Sequence, residues 1–177
     1  NSGAHHHIIF DEQETDYNHV NSIYFDGTDV FALLHNKGNK NSEIARLTIS
    51  SEGFALHERV MFNDTGCHNI FRVNGRVVYN ASAAGDTIVL DTSTKQEVLR
   101  RNFEGHTKGL AVLEDHYVVG VSDHAVRAER QTTSSALTFL GRENMSLVKS
   151  IPLKLEDGTK IGNINEIRCL SHPDVSE

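Results

Sequence analysis

The sequence predicts an all-β chain folded as a β-propeller with four-stranded antiparallel blades. Three observations carry that prediction. No stretch of a dozen residues places apolar side chains at i, i+3, i+4 and i+7, so helical periodicity is missing. Short apolar runs bounded by Gly, Asn, Asp and Ser fill the chain instead, the pattern of strands and tight turns. The third observation is recurrence. GCHNIFRVNGRVVYNASAAGDTIVLD (66–91) reads as three strands over two turns, and its Asn74-Gly75 is a strong two-residue hairpin signal. HVNSIYFDGTDVFALLHN (19–36) and HTKGLAVLEDHYVVGVS (106–122) have the same plan. Each opens with a histidine, runs through an apolar strand, turns on polar residues and returns.

Taken in order, residues 7–12 read as a strand that completes a unit begun earlier. Strands at 22–26 and 30–35 form a hairpin over Gly27-Thr28, and 36–42 is a polar loop. Strands at 43–50 and 54–62 turn at 51–53 and complete a first set of four. The second set is 70–73, 76–81, 87–91 and 97–103. A third runs 110–113, 117–121, 137–140 and 146–152, with a polar insertion at 123–135. NINEIRCL (163–170) then reads as the first strand of a further set.

The apolar anchors Ile23, Ile70, Leu110 and Ile167 are spaced by 47, 40 and 57 residues. Four strands per roughly 40–50 residues is the spacing of propeller blades. With no Trp in the chain, a Trp-Asp type of propeller is excluded. The competing architecture is a β-sandwich whose hairpins are alike by coincidence, against which stands the same residue type restarting each unit. The expected organisation is one partial propeller domain over 1–177, with blades at 19–62, 66–103 and 106–152 and the start of another at 163–170. A ring needs at least about four blades. The remaining blades are therefore expected in the same chain or from another chain.

Bulk properties narrow the function classes. A chain of 177 residues is long enough for a sizeable core. No run approaches the roughly 20 apolar residues of a membrane-spanning helix. The formal net charge of −7 argues against general nucleic-acid binding, which needs basic surface. NSGAHHHIIF lacks a charged region followed by an apolar one, so it does not read as a signal peptide. Cys67 and Cys169 make no disulfide framework. A soluble, cytoplasmic protein is expected.

In a propeller the first strand of each blade lines the axis. The start of that strand and the end of the second strand then converge on one mouth. His19, His68, His106 and Asn163 stand at the starts; His35, Asn36, Ser82 and Ser122 stand at the ends. Three readings of this ring stay open. Imidazoles from three blades, His19, His68 and His106, can hold a divalent metal that polarises a carbonyl or lowers the pKa of a bound water. The same side chains can tie each blade to its neighbour by hydrogen bonds. They can also bind a substrate without metal, with Asn21 and Asn69 beside the histidines.

A second constellation is Lys108, Arg127, Arg130, Glu166 and Arg168. Lys108 and Glu166 both occupy first-strand starts, and the two arginines at 127 and 130 follow Ser122. Such groups can clamp a carboxylate or phosphate, or form salt bridges between blades. No nucleophile elbow, P-loop, dinucleotide fingerprint or C-x-x-C is present, so no nucleotide cofactor is expected. The acidic run at 11–16 reads as a solvated loop, and His57, His116, His124 and His172 as exposed.

At HTKGLAVLEDHYVVGVSDHAVRAER and NINEIRCL the chain resembles bacterial β-propeller repeat proteins of the non-WD kind, and the units at 19–36 and 67–91 look similar. That resemblance covers most of residues 17–170 and implies the propeller fold. Related propellers include metal-dependent lactonases, lyases and cyclotransferases as well as binding modules, so the resemblance implies no single reaction. Two expectations follow: a small-molecule hydrolase, lyase or cyclase acting at the axial pocket, or a non-catalytic scaffold for a protein or glycan partner.

Overall fold

The structure, a computed structural model, describes residues 18–126 and 128–170. The expected strand at 7–12, the acidic run at 11–16, Arg127 and His172 lie outside the described residues. The chain falls into two compact units, Asn1–Gly66 and Cys67–Glu177.

The first unit holds one antiparallel sheet in chain order: β1 (Val20–Phe25), β2 (Asp29–Leu34), β3 (Glu43–Ser50) and β4 (Gly53–Met61). Every connection is a hairpin or short loop, as the Gly- and Asn-rich breaks dictate. Ala32, Leu34, Ala45 and Leu47 form a buried cluster on β2 and β3, with Val30 packed against it. Among the described residues of this unit, the buried charges are paired. Glu43 accepts two bonds from Arg59, from Nη2 to Oε1 at 2.7 Å and from Nε to Oε2 at 2.8 Å. Asp29 is likewise held by Arg46 Nε at 2.7 Å and by the Thr48 hydroxyl at 3.0 Å.

The second unit holds two such sheets. One is β5 (Cys67–Val73), β6 (Arg76–Ala81), β7 (Asp86–Asp91) and β8 (Gln96–Asn102); the other is β9 (His106–Val112), β10 (His116–Ser122), β11 (Ser135–Gly141) and β12 (Leu147–Leu153). Val77–Ala81 and Asp86–Leu90 are buried without a break. A strand covered on both faces shows such a continuous run rather than an alternation. The fourth strands, β8 and β12, are mostly exposed, β8 largely polar and β12 largely apolar, and β9 packs against β5 and β6. Asn74 and Gly75 both have positive φ, 49° and 71°, as a two-residue turn matched to the strand twist requires.

Two differences from the sequence expectation have physical reasons. β5 and β9 start at Cys67 and His106, earlier than the expected 70 and 110. Both carry a bulge, β5 between His68 and Ile70 and β9 opposite the step from Val119 to Val121. An extra residue breaks the two-residue alternation and hides the strand start. The second difference is a correction: residues 163–170 form no strand. A strand needs a ladder partner, and among the described residues this segment has none. It is seated by other means. Ile164 and Ile167 lie so close over Gly109 that a Cβ there would meet them at 2.8 and 3.0 Å, and the Ile164 N–H donates to Ser122 Oγ at 3.2 Å.

Beyond these strands, regular structure among the described residues is limited to two 3-10 turns, Asn36–Gly38 and Arg130–Thr132. No helix of the described residues is long and apolar enough to cross a membrane.

Candidate functional site

In the first unit the start of β1 and the end of β2 meet, as expected of one rim. The His35 N–H donates to the His19 carbonyl at 3.2 Å, and the two rings stand edge-to-face at 5.5 Å between centroids. His19 has φ +47° and Asn21 stands in the bulge of β1. Asn36 is fully buried and is not a ligand-facing group. Its amide donates to the Asn41 carbonyl at 2.8 Å and to Glu43 at 3.1 Å.

The second unit shows the rim between two neighbouring sheets. Its centre is a buried amide relay. Asn69, in the bulge with φ +53°, accepts the Gly109 N–H at 2.8 Å through Oδ1. Asn80 donates to the Gly109 carbonyl at 3.3 Å and to Asn69 Oδ1 at 3.4 Å, and its own Oδ1 accepts the Thr87 hydroxyl at 2.8 Å. Both backbone groups of the bulged Gly109 are thus satisfied by side chains of the preceding sheet. A bulge leaves such groups outside the ladder, and burial makes an unpaired one costly.

Around that relay lie the other residues singled out from the sequence. Ser82 donates to the Thr107 carbonyl at 2.6 Å, and His106 Nδ1 lies 3.0 Å from the Ser82 carbonyl. His68 stands opposite Asn80 in the β5–β6 ladder. Lys108 is half-buried and donates to Asn165 Oδ1 at 3.3 Å. Burial, and next the positive charge of Arg130, hold its pKa below the ordinary lysine value. Asn163, with φ +49°, donates to the same Asn165 oxygen at 3.2 Å. Glu166 faces Asn69 Nδ2 at 3.5 Å and pairs with Arg168 at 3.3 Å.

The structure therefore brings Lys108, Asn163, Glu166 and Arg168 onto one short segment and its neighbour, and Ser82 against His106. Among the described residues no group of three or more His, Cys, Asp or Glu side chains is placed to hold a metal ion. Sequence reasoning missed Asn80, Thr87, Asn165 and His124. Asn80 did carry a signal, a lone amide inside an apolar strand, which burial obliges to find partners. His124 is exposed, as expected, and its ring meets His106 edge-to-face at 4.5 Å.

At the other ends of the same strands lies an open groove of about 530 Å³, whose lining includes Val73, Arg76, Tyr117, Arg142 and Glu143. Arg142 is held there by the Glu114 carbonyl at 2.8 Å. None of the candidate site residues named from the sequence is in its lining, which does include the turn residue Asn74.

This architecture is a β-propeller with four-stranded antiparallel blades. A solved structure of the Myxococcus xanthus glutaminyl cyclase is similar to it, with a TM-score of 0.59 at 17% sequence identity. The match covers 92% of this chain and 62% of that one, so the chain spans less than two thirds of its neighbour's length. At this identity the likeness shows the fold alone. No family model matches the chain, and no curated protein matches it.

Proposed function

We propose that this chain is part of a propeller enzyme acting on a small molecule at the rim formed by first-strand starts and second-strand ends. The reaction class is cyclase, lyase or hydrolase, with cyclisation the first to test because the structural neighbour is a glutaminyl cyclase. One observation carries the reading: Lys108, Asn165 and Glu166 gather at this rim on a framework already satisfied by Asn69, Asn80 and Ser82. Polar groups not needed to hold the fold are the ones free to meet a ligand. The resemblance to bacterial non-WD propellers, which include lyases and cyclotransferases, points the same way.

Incubation with a glutaminyl peptide and with lactone and uronate panels, followed by mass spectrometry, tests the reading. Product formation that Glu166→Gln abolishes is the expected result. A folded chain inert towards every panel sinks it.

The scaffold reading has its own support, since His106 Nδ1 faces a backbone carbonyl as a blade-tying residue would. Binding of a divalent metal by histidines is a separate proposal, supported by their type and spacing in the sequence. Elemental analysis of the wild type and a His68→Ala variant tests it. Further blades, in this chain or another, are proposed from the first sheet. Ile23 and Phe25 of β1 are 63% and 57% exposed, whereas the corresponding anchor Leu110 is fully buried beside β5 and β6.

A further inference from the structure

The cations of this rim are unequal. Arg168 is matched by Glu166, whose second oxygen faces Asn69. Lys108 and Arg130 have no such partner: among the described residues neither is in ion-pair contact with a carboxylate. Lys108 Nζ has a neutral amide oxygen instead, Asn165 Oδ1. Both side chains are half-buried.

Their placement is fixed by backbone packing. Gly162 lies directly against the Arg130 carbonyl, where no Cβ would fit, and Arg130 Nε donates to the Ala125 carbonyl at 3.4 Å. The Ser135 hydroxyl donates to the Ile161 carbonyl, which ties the end of the 123–135 insertion to the same segment. Lys108 leaves the chain beside Gly109, whose N–H and carbonyl are both held by the amide relay. Lys108 and Arg130 thus both pack on the 162–165 segment, partly out of water, and among the described residues neither is paired with a carboxylate.

The geometry points to an oxyanion subsite at the Lys108–Arg130 pair, which takes the carboxylate or phosphate group of a small molecule. The assignment rests on the reading of this rim as a small-molecule site, and it names the chemistry of the ligand. A guanidinium offers a planar fork and an ammonium a point charge, so together they match one oxyanion from two directions. Asn165 then serves as the neutral hydrogen-bonding partner that orients Lys108. The depressed lysine pKa is the expected companion of this arrangement, since a bound anion would favour the charged amine.

Acylation of lysines in the whole chain, read by peptide mapping, tests the subsite. At constant ionic strength, inorganic phosphate or acetate is expected to slow acylation of Lys108 about tenfold, as a pKa rise of about one unit would. Exposed Lys154 keeps its rate. Arg130→Gln weakens the protection about tenfold, whereas Arg142→Gln, at the other strand ends, leaves it intact. Protection by phosphate alone assigns a phosphoryl ligand, and protection by acetate alone a carboxylate. A Lys108 rate that neither anion changes, in a chain shown to be folded by circular dichroism, overturns the proposal. Anion protection without turnover on any panel would remove the enzyme reading and leave the subsite. Turnover without protection would do the reverse.

Discussion

Ser82 and Ser122 occupy the same place in successive blades and use their hydroxyls with opposite polarity. Ser82 donates to the Thr107 carbonyl at 2.6 Å, and Ser122 accepts the Ile164 N–H at 3.2 Å. Counted from the anchors Leu110 and Ile167, Thr107 and Ile164 are equivalent residues. Residues 163–170 therefore sit on the third blade where a following blade's first strand would, although they have no ladder. Ser82→Ala leaves a buried carbonyl without its partner. A loss of about 1–3 kcal/mol in denaturant unfolding is expected, and a loss of a few tenths would mean that water replaces the hydroxyl.

Asn80 and Thr87 form one unit with Gly109. Asn80→Ala removes bonds to two blades at once and is expected to cost about 2–3 kcal/mol. Thr87→Val should cost less, and the two together less than their sum, because each exposes the same amide network. Strict additivity in a double-mutant cycle would show that the relay is not a unit.

Gly120 has no room for a side chain. A Cβ there would overlap the Lys108 carbonyl and approach Ile164 Cγ2 at 2.7 Å. Gly120→Ala should destabilise the second unit by about 1–3 kcal/mol, the usual range for overpacking. It should also shift Lys108 reactivity, since the clash falls on that residue's own backbone. Unchanged Lys108 acylation in this variant would argue against the coupling.

Glu43 is buried in the first unit with both oxygens on Arg59. Glu43→Ala takes two charge-assisted bonds from the half-buried Arg59 guanidinium, and a loss of about 1.5–3 kcal/mol is expected. Urea unfolding measures it. A cost near that of an exposed pair, about 0–1 kcal/mol, would show that Arg59 finds water instead.

Asp91 carries part of the acid limit. The Ser93 hydroxyl, with the Thr94 and Ser93 N–H groups, stabilises the carboxylate and lowers its pKa to about 2. A depressed folded-state pKa gives stability that is present above the unfolded value, about 3.9, and lost as pH falls through the folded one. Stability should therefore decline between about pH 4 and 2, less steeply in Asp91→Asn. Identical pH profiles for the two chains would rule Asp91 out as a contributor.

What the sequence determined by itself was local. Strand identity, the Asn74-Gly75 turn and the four-strand blade period are legible because alternation and turn chemistry involve residues near one another. Rim membership followed from topology, and His35 beside His19 and Ser82 beside His106 agree with it. The tertiary structure alone decided what each polar group does there. The bulges at Asn69 and Gly109 redirect side chains without any mark in the apolar pattern. Asn80 shows as an anomaly in its strand, but its partner Gly109 lies 29 residues on, and Lys108 meets Asn165 across 57. Which amide satisfies which backbone group, and which cation is left without a carboxylate, depends on the packing of whole blades. No window of sequence contains both partners, so only the fold could assign them.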